Sequence, residues 1–337
     1  MRQLPIAVVT GGAGFIGSHM VDLLLERGYR VHVIDSMLSG RQSNLAHHAD
    51  DPRLIVEEGD IRDLQNNSLL FKHAKYVFHF AGIGDIVPSI EHPSDYMEVN
   101  VQGTVKVLEA ARYNTIDRLV YAASSSCYGL AQTPTDECAP INLQYPYALS
   151  KYLGELSCFH WHKVYGLPVN SIRIFNAYGT RSRTSGAYGA VIGVFLKQKL
   201  EGQPFTVVGD GTQRRDFVYA SDVALAFYLA ATTPYSGECY NLGAGNPQSI
   251  NHLVDLLKGD VVYIPKRPGE PDVTWANISK IRSKLGWQPT ISFEMGIKKI
   301  LEQIDYWRAA PLWNPQSIAE STKTWFEHLE KSDARRS

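Results

Sequence analysis

A chain of 337 residues, 44% of them hydrophobic and carrying a formal net charge of −1, is long enough to bury a large core as one big domain or two of ordinary size. Lysine and arginine are dispersed apart from Arg335-Arg336, so the basic footprint of a nucleic-acid binder is missing. The cysteines Cys127, Cys138, Cys158 and Cys239 have no Cys-x-x-Cys spacing, and the first apolar run, Pro5 to Val9, is far below a membrane span. These features predict a cytoplasmic protein with reduced thiols, no membrane or nucleic-acid partner and no metal site.

Short β-branched runs then alternate with amphipathic stretches. A strand at Ile6 to Val9, a helix from Phe15 to Arg27 stopped by Gly28, and a strand at Arg30 to Ile34 form a βαβ unit. Further strands are predicted at Leu54 to Glu57, Tyr76 to Phe80, Leu119 to Ala122 and Ser171 to Phe175, with helices at Ser94 to Tyr113 and Tyr147 to Tyr165. Such alternation predicts an α/β, Rossmann-like doubly wound parallel sheet. After Asn176 the pattern loosens into Gly- and Arg-rich loops and a break at Pro265 to Pro271. The reading is a first domain over 1–178 with a return segment at 213–245, and a smaller loop-rich lobe from 179–212 and 246–337.

Thr10-Gly11-Gly12-Ala13-Gly14-Phe15-Ile16-Gly17 joins the first strand to the first helix. There a glycine-rich turn lets backbone N–H groups, those of Phe15 and Ile16 included, approach a pyrophosphate at a helix N-terminus. Gly11 makes the tight turn, Gly14 admits the phosphate and Gly17 allows close packing. Asp35 closes the second strand, where a carboxylate accepts from the adenosine ribose and repels a 2′-phosphate. Ser36-Met37 follow it in place of an arginine, which favours NAD over NADP. Asp60 and Ile61 are predicted to contact adenine, with turn capping the alternative role for Asp60.

Tyr147 and Lys151 stand four residues apart and share one helix face. Bringing a phenol from a pKa of ~10 to about 7 takes roughly 4 kcal/mol of selective stabilisation, which a close cation supplies. By itself the pair also fits a solvated helix face.

With Ser124-Ser125-Ser126-Cys127-Tyr128-Gly129 upstream, the glycine turn, Asp35, His79-Phe80-Ala81-Gly82, Asn100, Arg173-Ile174-Phe175-Asn176, Arg215-Asp216-Phe217 and Arg267-Pro268-Gly269-Glu270, the chain resembles the extended short-chain dehydrogenase/reductase family. The resemblance is to its nucleotide-sugar 4-epimerases, of the UDP-glucose and UDP-N-acetylglucosamine type, and runs over about residues 4 to 305. It implies that Tyr147 is the base on a sugar hydroxyl and that Ser124 is its hydrogen-bonding partner. Lys151 is implied to hold the nicotinamide ribose and to depress the tyrosine pKa, and Ala81 and Asn100 to flank the cofactor. Asn176, Arg215 and Arg267 are implied to bind the substrate diphosphate and Glu270 the ribose of what the resemblance makes a UDP-sugar.

Related 4,6-dehydratases place Asp and Glu where Ser125 and Ser126 stand here, and serine titrates far too high to be a general acid. Inversion at C4 through a 4-keto sugar is thus the expected reaction. A UDP-uronate epimerase, a 4,6-dehydratase, a 4-ketoreductase or an NAD-binding regulatory module are the alternatives. Gly84 and Thr274 stand where some relatives carry lysine and tyrosine, which favours UDP-GlcNAc/UDP-GalNAc over UDP-Glc/UDP-Gal; Arg181 and Arg183 instead suit a uronic acid. Apolar residues on the helices from Ser94 and Tyr147 (Val101, Val105, Leu108, Leu153, Leu156, Phe159, Trp161) predict a homodimer through a four-helix bundle. Pro311 to Leu329 lies beyond the resemblance and has no assigned role.

Overall fold

The computed structural model of the chain describes residues 4–182 and 191–334. Its strands are β1 (Ile6–Thr10), β2 (Arg30–Asp35), β3 (Leu54–Glu58), β4 (Ala74–His79), β5 (Arg118–Ser124), β6 (Val169–Ile174), β7 (Asn176–Tyr178), β8 (Phe205–Val208), β9 (Arg214–Arg215), β10 (Phe217–Tyr219), β11 (Glu238–Leu242), β12 (Gln248–Ser249) and β13 (Val261–Ile264). The helices are α1 (Phe15–Glu26), α2 (Ile86–Glu91), α3 (Pro93–Met97), α4 (Thr104–Tyr113), α5 (Pro146–Tyr165), α6 (Val191–Leu200), α7 (Ala220–Thr232), α8 (Ile250–Leu257), α9 (Ser279–Leu285), α10 (Phe293–Leu301) and α11 (Pro315–Ala334). No helix among the described residues is long and apolar enough to cross a membrane.

Seven strands form one parallel sheet in the order β11-β6-β5-β4-β1-β2-β3. The predicted doubly wound sheet is therefore present. The chain winds outward from β1 in one direction, returns, and winds the other way from β4, so the order reverses between β1 and β4. The carboxyl ends of these two strands open the crevice that such sheets use for ligands. Val8, Val9, Val77 and Phe78 are fully buried because helices cover both faces, which is why these strands read as continuous apolar runs. On one face Met20 and Leu24 of α1 meet Val223 and Phe227 of α7; on the other, Leu108 and Ala111 of α4 pack with Cys158 of α5. A third cluster around Phe195, Phe205, Leu253, Ile297 and Trp307 forms the smaller lobe.

The segment 213–245 supplies α7 and β11 to the large sheet. The helix predicted over Ser94 to Tyr113 is interrupted: between α3 and α4 the turn Glu98–Gly103 is a wide π-turn. The Thr104 hydroxyl donates to the Asn100 carbonyl at 2.7 Å, and a Cβ on Gly103 would lie 2.6 Å from Ile61 Cδ1, so side-chain bonding and close packing shape this turn. Leu108, expected on the dimer face, is fully buried in the core because α4 turns it onto the sheet.

Candidate active site and cofactor cradle

Gly11 follows β1 with φ +70°, and a Cβ there would lie 2.7 Å from the Ala81 nitrogen, so Ala81 and the turn are in backbone contact. At Gly17 a Cβ would come within 2.1 Å of the Gly11 carbonyl oxygen. Gly14 is the N-cap of α1 and brings no capping side chain, leaving that helix end suited to an anion. Phe15 lines the cavity beside it, while Ile16 packs on the core. Asp35 is 6% exposed; its carboxylate accepts from the N–H groups of Ala13 and Met37, both at 2.9 Å. Burial raises its pKa against those hydrogen bonds. A turn that only glycine fits, an uncapped helix start and a buried carboxylate fit a dinucleotide. Asp60 caps the next turn, accepting from Arg62 N at 2.8 Å, and its oxygens are also held by the Arg62 guanidinium. Ile61 is buried under the π-turn. The Asp60 side chain thus performs the capping role given above as the alternative.

Across the crevice β5 ends at Ser124, whose hydroxyl accepts from Ser126 N at 3.2 Å and lies 2.8 Å from the Ser126 hydroxyl. Pro146 starts α5, which places Tyr147 in the first turn and Lys151 one turn later. The Tyr147 ring is parallel to Tyr145 at 6.4 Å and edge-on to Tyr96 at 6.3 Å. Burial raises the Tyr147 pKa, a hydrogen bond with Ser124 lowers it, and the charge of Asp85 raises it again. The Lys151 ammonium lies 4.5 Å over the Tyr121 ring. Burial pushes Lys151 itself down to about 8.

Asn100 does not point outward as a free ligand. Its amide donates to the Ile83 carbonyl and the Ser150 hydroxyl and accepts from Ile83 N, each at 2.9 Å, clamping the 82–84 loop to α5. His79 bridges Thr10 at 2.7 Å and Thr104 at 3.0 Å, and burial lowers its pKa to about 3, so it is neutral.

Below α5 lies a network that sequence reasoning missed. Arg173 pairs with Glu155 at 2.5 Å and donates to the Tyr128 hydroxyl at 2.7 Å, which donates in turn to Asn241 at 2.7 Å. Glu155 also accepts from Ser171 at 2.8 Å. Its spacing of four residues beyond Lys151 was the available signal.

The crevice widens into a cavity of about 590 Å³ lined by Ser124, Ser125, Ser126, Gly84, Tyr147 and Asn176. Thr274, Arg215, Arg267 and Glu270 close its other side. Thr274 donates to the Asn176 side-chain oxygen at 2.7 Å, which fixes the amide. Glu270 pairs with Arg215 at 2.7 Å and faces Arg267 at 3.8 Å, so one carboxylate sets the spacing of the two guanidiniums. A Cβ at Gly84 would lie 3.3 Å from the Tyr147 ring. Arg181 is not part of this wall: it bonds Asp22, His19 at 2.8 Å and the Asn44 carbonyl at 3.1 Å, because burial beside α1 offers it a carboxylate there. Arg183 lies outside the described residues. Thr322 and Trp325 of α11 do line the cavity, so the segment left without a role reaches the site.

Residues 7–243 match the model of the NAD dependent epimerase/dehydratase family. The chain is 38% identical over 303 residues to a putative UDP-glucose 4-epimerase of Methanocaldococcus jannaschii, covering 87% of this chain and 96% of the relative. It is 33% identical to a UDP-glucuronate 4-epimerase of Thermodesulfobacterium geofontis, covering 87% and 94%. Among solved structures it is similar to a UDP-N-acetylglucosamine 4-epimerase from Methanobrevibacter ruminantium in complex with UDP-N-acetylmuramic acid. That match has a TM-score of 0.84 at 32% identity and covers 90% of this chain and all of the other.

Proposed function

The chain belongs to the NAD dependent epimerase/dehydratase family, and we propose that within it the protein inverts C4 of a UDP-hexose through a transient 4-keto sugar, UDP-GlcNAc/UDP-GalNAc being the favoured pair. The observation that carries this reading is the serine run beside Tyr147: Ser124, Ser125 and Ser126 line the cavity, and no carboxylate stands at 125 or 126. Tyr147 takes the O4 proton while Ser124 holds the hydroxyl and the ionising phenol in one hydrogen-bonded line. Loss of water would need a further acid that these hydroxyls do not provide. Of the carboxylates lining the cavity among the described residues, Glu270 is held by Arg215 and Asp85 opposes ionisation of Tyr147. Bound NAD supplies reversible hydride uptake at C4 and a positive charge. Gly11, Gly14, Gly17 and Asp35 hold it, with Ala81 and Asn100 shaping the neighbouring wall.

Two features support an N-acetylated sugar. Gly84 brings no side chain against the Tyr147 ring, and Thr274 is a small wall whose hydroxyl is spent on Asn176. Of the two arginines that would suit a carboxylated sugar, Arg181 is bound to Asp22. Arg215 and Arg267 hold the diphosphate and Glu270 the ribose, as guanidinium and carboxylate geometry favours. We further propose a cytoplasmic homodimer joined through α4 and α5, on which Tyr113, Leu156, Val164 and Tyr165 are exposed; sedimentation as a monomer at micromolar concentration would contradict it. NMR analysis of products from UDP-Glc, UDP-GlcNAc and UDP-GlcA, with no cofactor added, tests reaction and sugar together. Net oxidation of NADPH, or a dehydrated keto product, overturns the epimerase reading.

A further inference from the structure

We propose that Trp325, on the last helix, is a positioning residue that holds Arg267 and the 267–270 loop over the diphosphate end of the pocket. The inference rests on the UDP-sugar reading above. Trp325 is 6% exposed and packs with Val87 and Leu329 in an apolar cluster of its own. Its indole N–H donates to the Pro268 carbonyl at 2.9 Å, and the Arg267 guanidinium lies 5.6 Å from its ring centroid. The Tyr145 ring is 6.4 Å away, next to the catalytic phenol. Thr324, on the same helix, donates to Glu91 of α2 at 3.0 Å, so α11 ties together the two segments that wall the cavity.

The loop holds Arg267 against its own Glu270 at 3.8 Å. It leaves β13 through proline residues and turns at Gly269 with φ +68°. Its far end is fixed separately, where Arg215 donates to the Pro271 carbonyl at 2.9 Å and pairs with Glu270. Trp325 adds a hold at the near end, contacting both the Pro268 backbone and the Arg267 guanidinium. An arginine ordered against an aromatic face loses less rotamer freedom when it grips an anion, and tryptophan is the strongest such face. The expected ligand contact is therefore with phosphate oxygens and not with the nucleoside.

The test compares UDP and uridine binding by calorimetry on the NAD-loaded protein. Trp325→Leu fills the apolar space but has neither π face nor N–H. It is expected to weaken UDP about tenfold and uridine less than about threefold, with NAD content and melting temperature checked alongside. Trp325→Phe, which restores a π face, is expected to recover most of that loss. In an Arg267→Ala background Trp325→Leu should have almost no further effect. Unchanged UDP affinity, equal weakening of uridine, no recovery with phenylalanine, or full additivity with Arg267→Ala each overturns the assignment. A wild-type protein that does not bind UDP overturns the UDP-sugar reading and this inference with it; one that binds while the variant is unchanged overturns this inference alone.

Discussion

Replacing Lys151 by methionine should make the protein more stable and less active. Lys151 is 8% exposed, and burial lowers its pKa from the ordinary 10.5 to about 8. At about 1.4 kcal/mol per pH unit, that fall corresponds to a penalty of about 3 kcal/mol for keeping the charge inside. The stacking on Tyr121 offsets about 1 kcal/mol, so Lys151→Met is expected to gain about 2 kcal/mol at pH 7. With an unfolding entropy of about 2.1 cal/mol/K per residue, this is a rise of about 3 °C in melting temperature. The sign follows from linkage. Below about pH 8 both states carry the proton and the native state bears the full penalty. Between about 8 and 10.5 the unfolded chain binds more protons, wild-type stability rises with pH, and the advantage of methionine shrinks to nothing. Thermal and urea unfolding of nucleotide-free protein from pH 6 to 10.5 measures this. A variant no more stable than wild type at pH 7, or a gain that persists at the top of the range, refutes the reasoning.

Tyr147→Phe should lower kcat by about 10²- to 10⁴-fold while NAD, measured by absorbance after denaturation, stays bound. Gly17→Ala forces a Cβ to 2.1 Å from the Gly11 carbonyl oxygen, so the turn must open; NAD content of the purified protein should fall steeply, and an unchanged content would contradict the cradle. Asp85→Asn removes a charge that raises the Tyr147 pKa, so the acid limb of the kcat/KM profile should move to lower pH, and a shift upward would contradict the electrostatic assignment.

What was legible in the sequence was local. The Gly11 to Gly17 turn, the βαβ alternation and Asp35 each depend on residues within one supersecondary unit, and each takes the expected place. The seventh strand, β11, was not read because Glu238 and Asn241 interrupt its apolar pattern; the interruption exists because Asn241 bonds Tyr128, a long-range contact. The π-turn at Glu98–Gly103 was hidden for a similar reason, its cause lying in Thr104 and in Ile61, more than thirty residues away. For Tyr147 and Lys151 the spacing carried their shared helix face but not their burial. Burial shifts the two pKa values toward their neutral forms, opposite to what a solvent-exposed pair would do. Trp325 had no local signature at all, since its partners Arg267 and Pro268 lie 58 and 57 residues away.

The small residues at 84, 124–126 and 274 and the arginine-glutamate clasp at 215, 267 and 270 belong to one requirement of the proposed reaction. With a single base at Tyr147, inversion demands that a 4-keto sugar present its other face to the same residues before it is reduced. The sugar must turn while the diphosphate stays fixed. In the proposed reaction a cavity wall of Gly84, serine hydroxyls and Thr274 would give the sugar its room to turn. The clasp, braced by Glu270 on one side and by Trp325 on the other, would restrain the end that must not move. A ketoreductase has no need of that room, because its product leaves after one hydride transfer, and a dehydratase needs an acid at 125 or 126 more than it needs space. Loosening the clasp should therefore harm turnover differently from filling the cavity: the first releases the intermediate, while the second holds it on one face and leaves the original epimer as the only product.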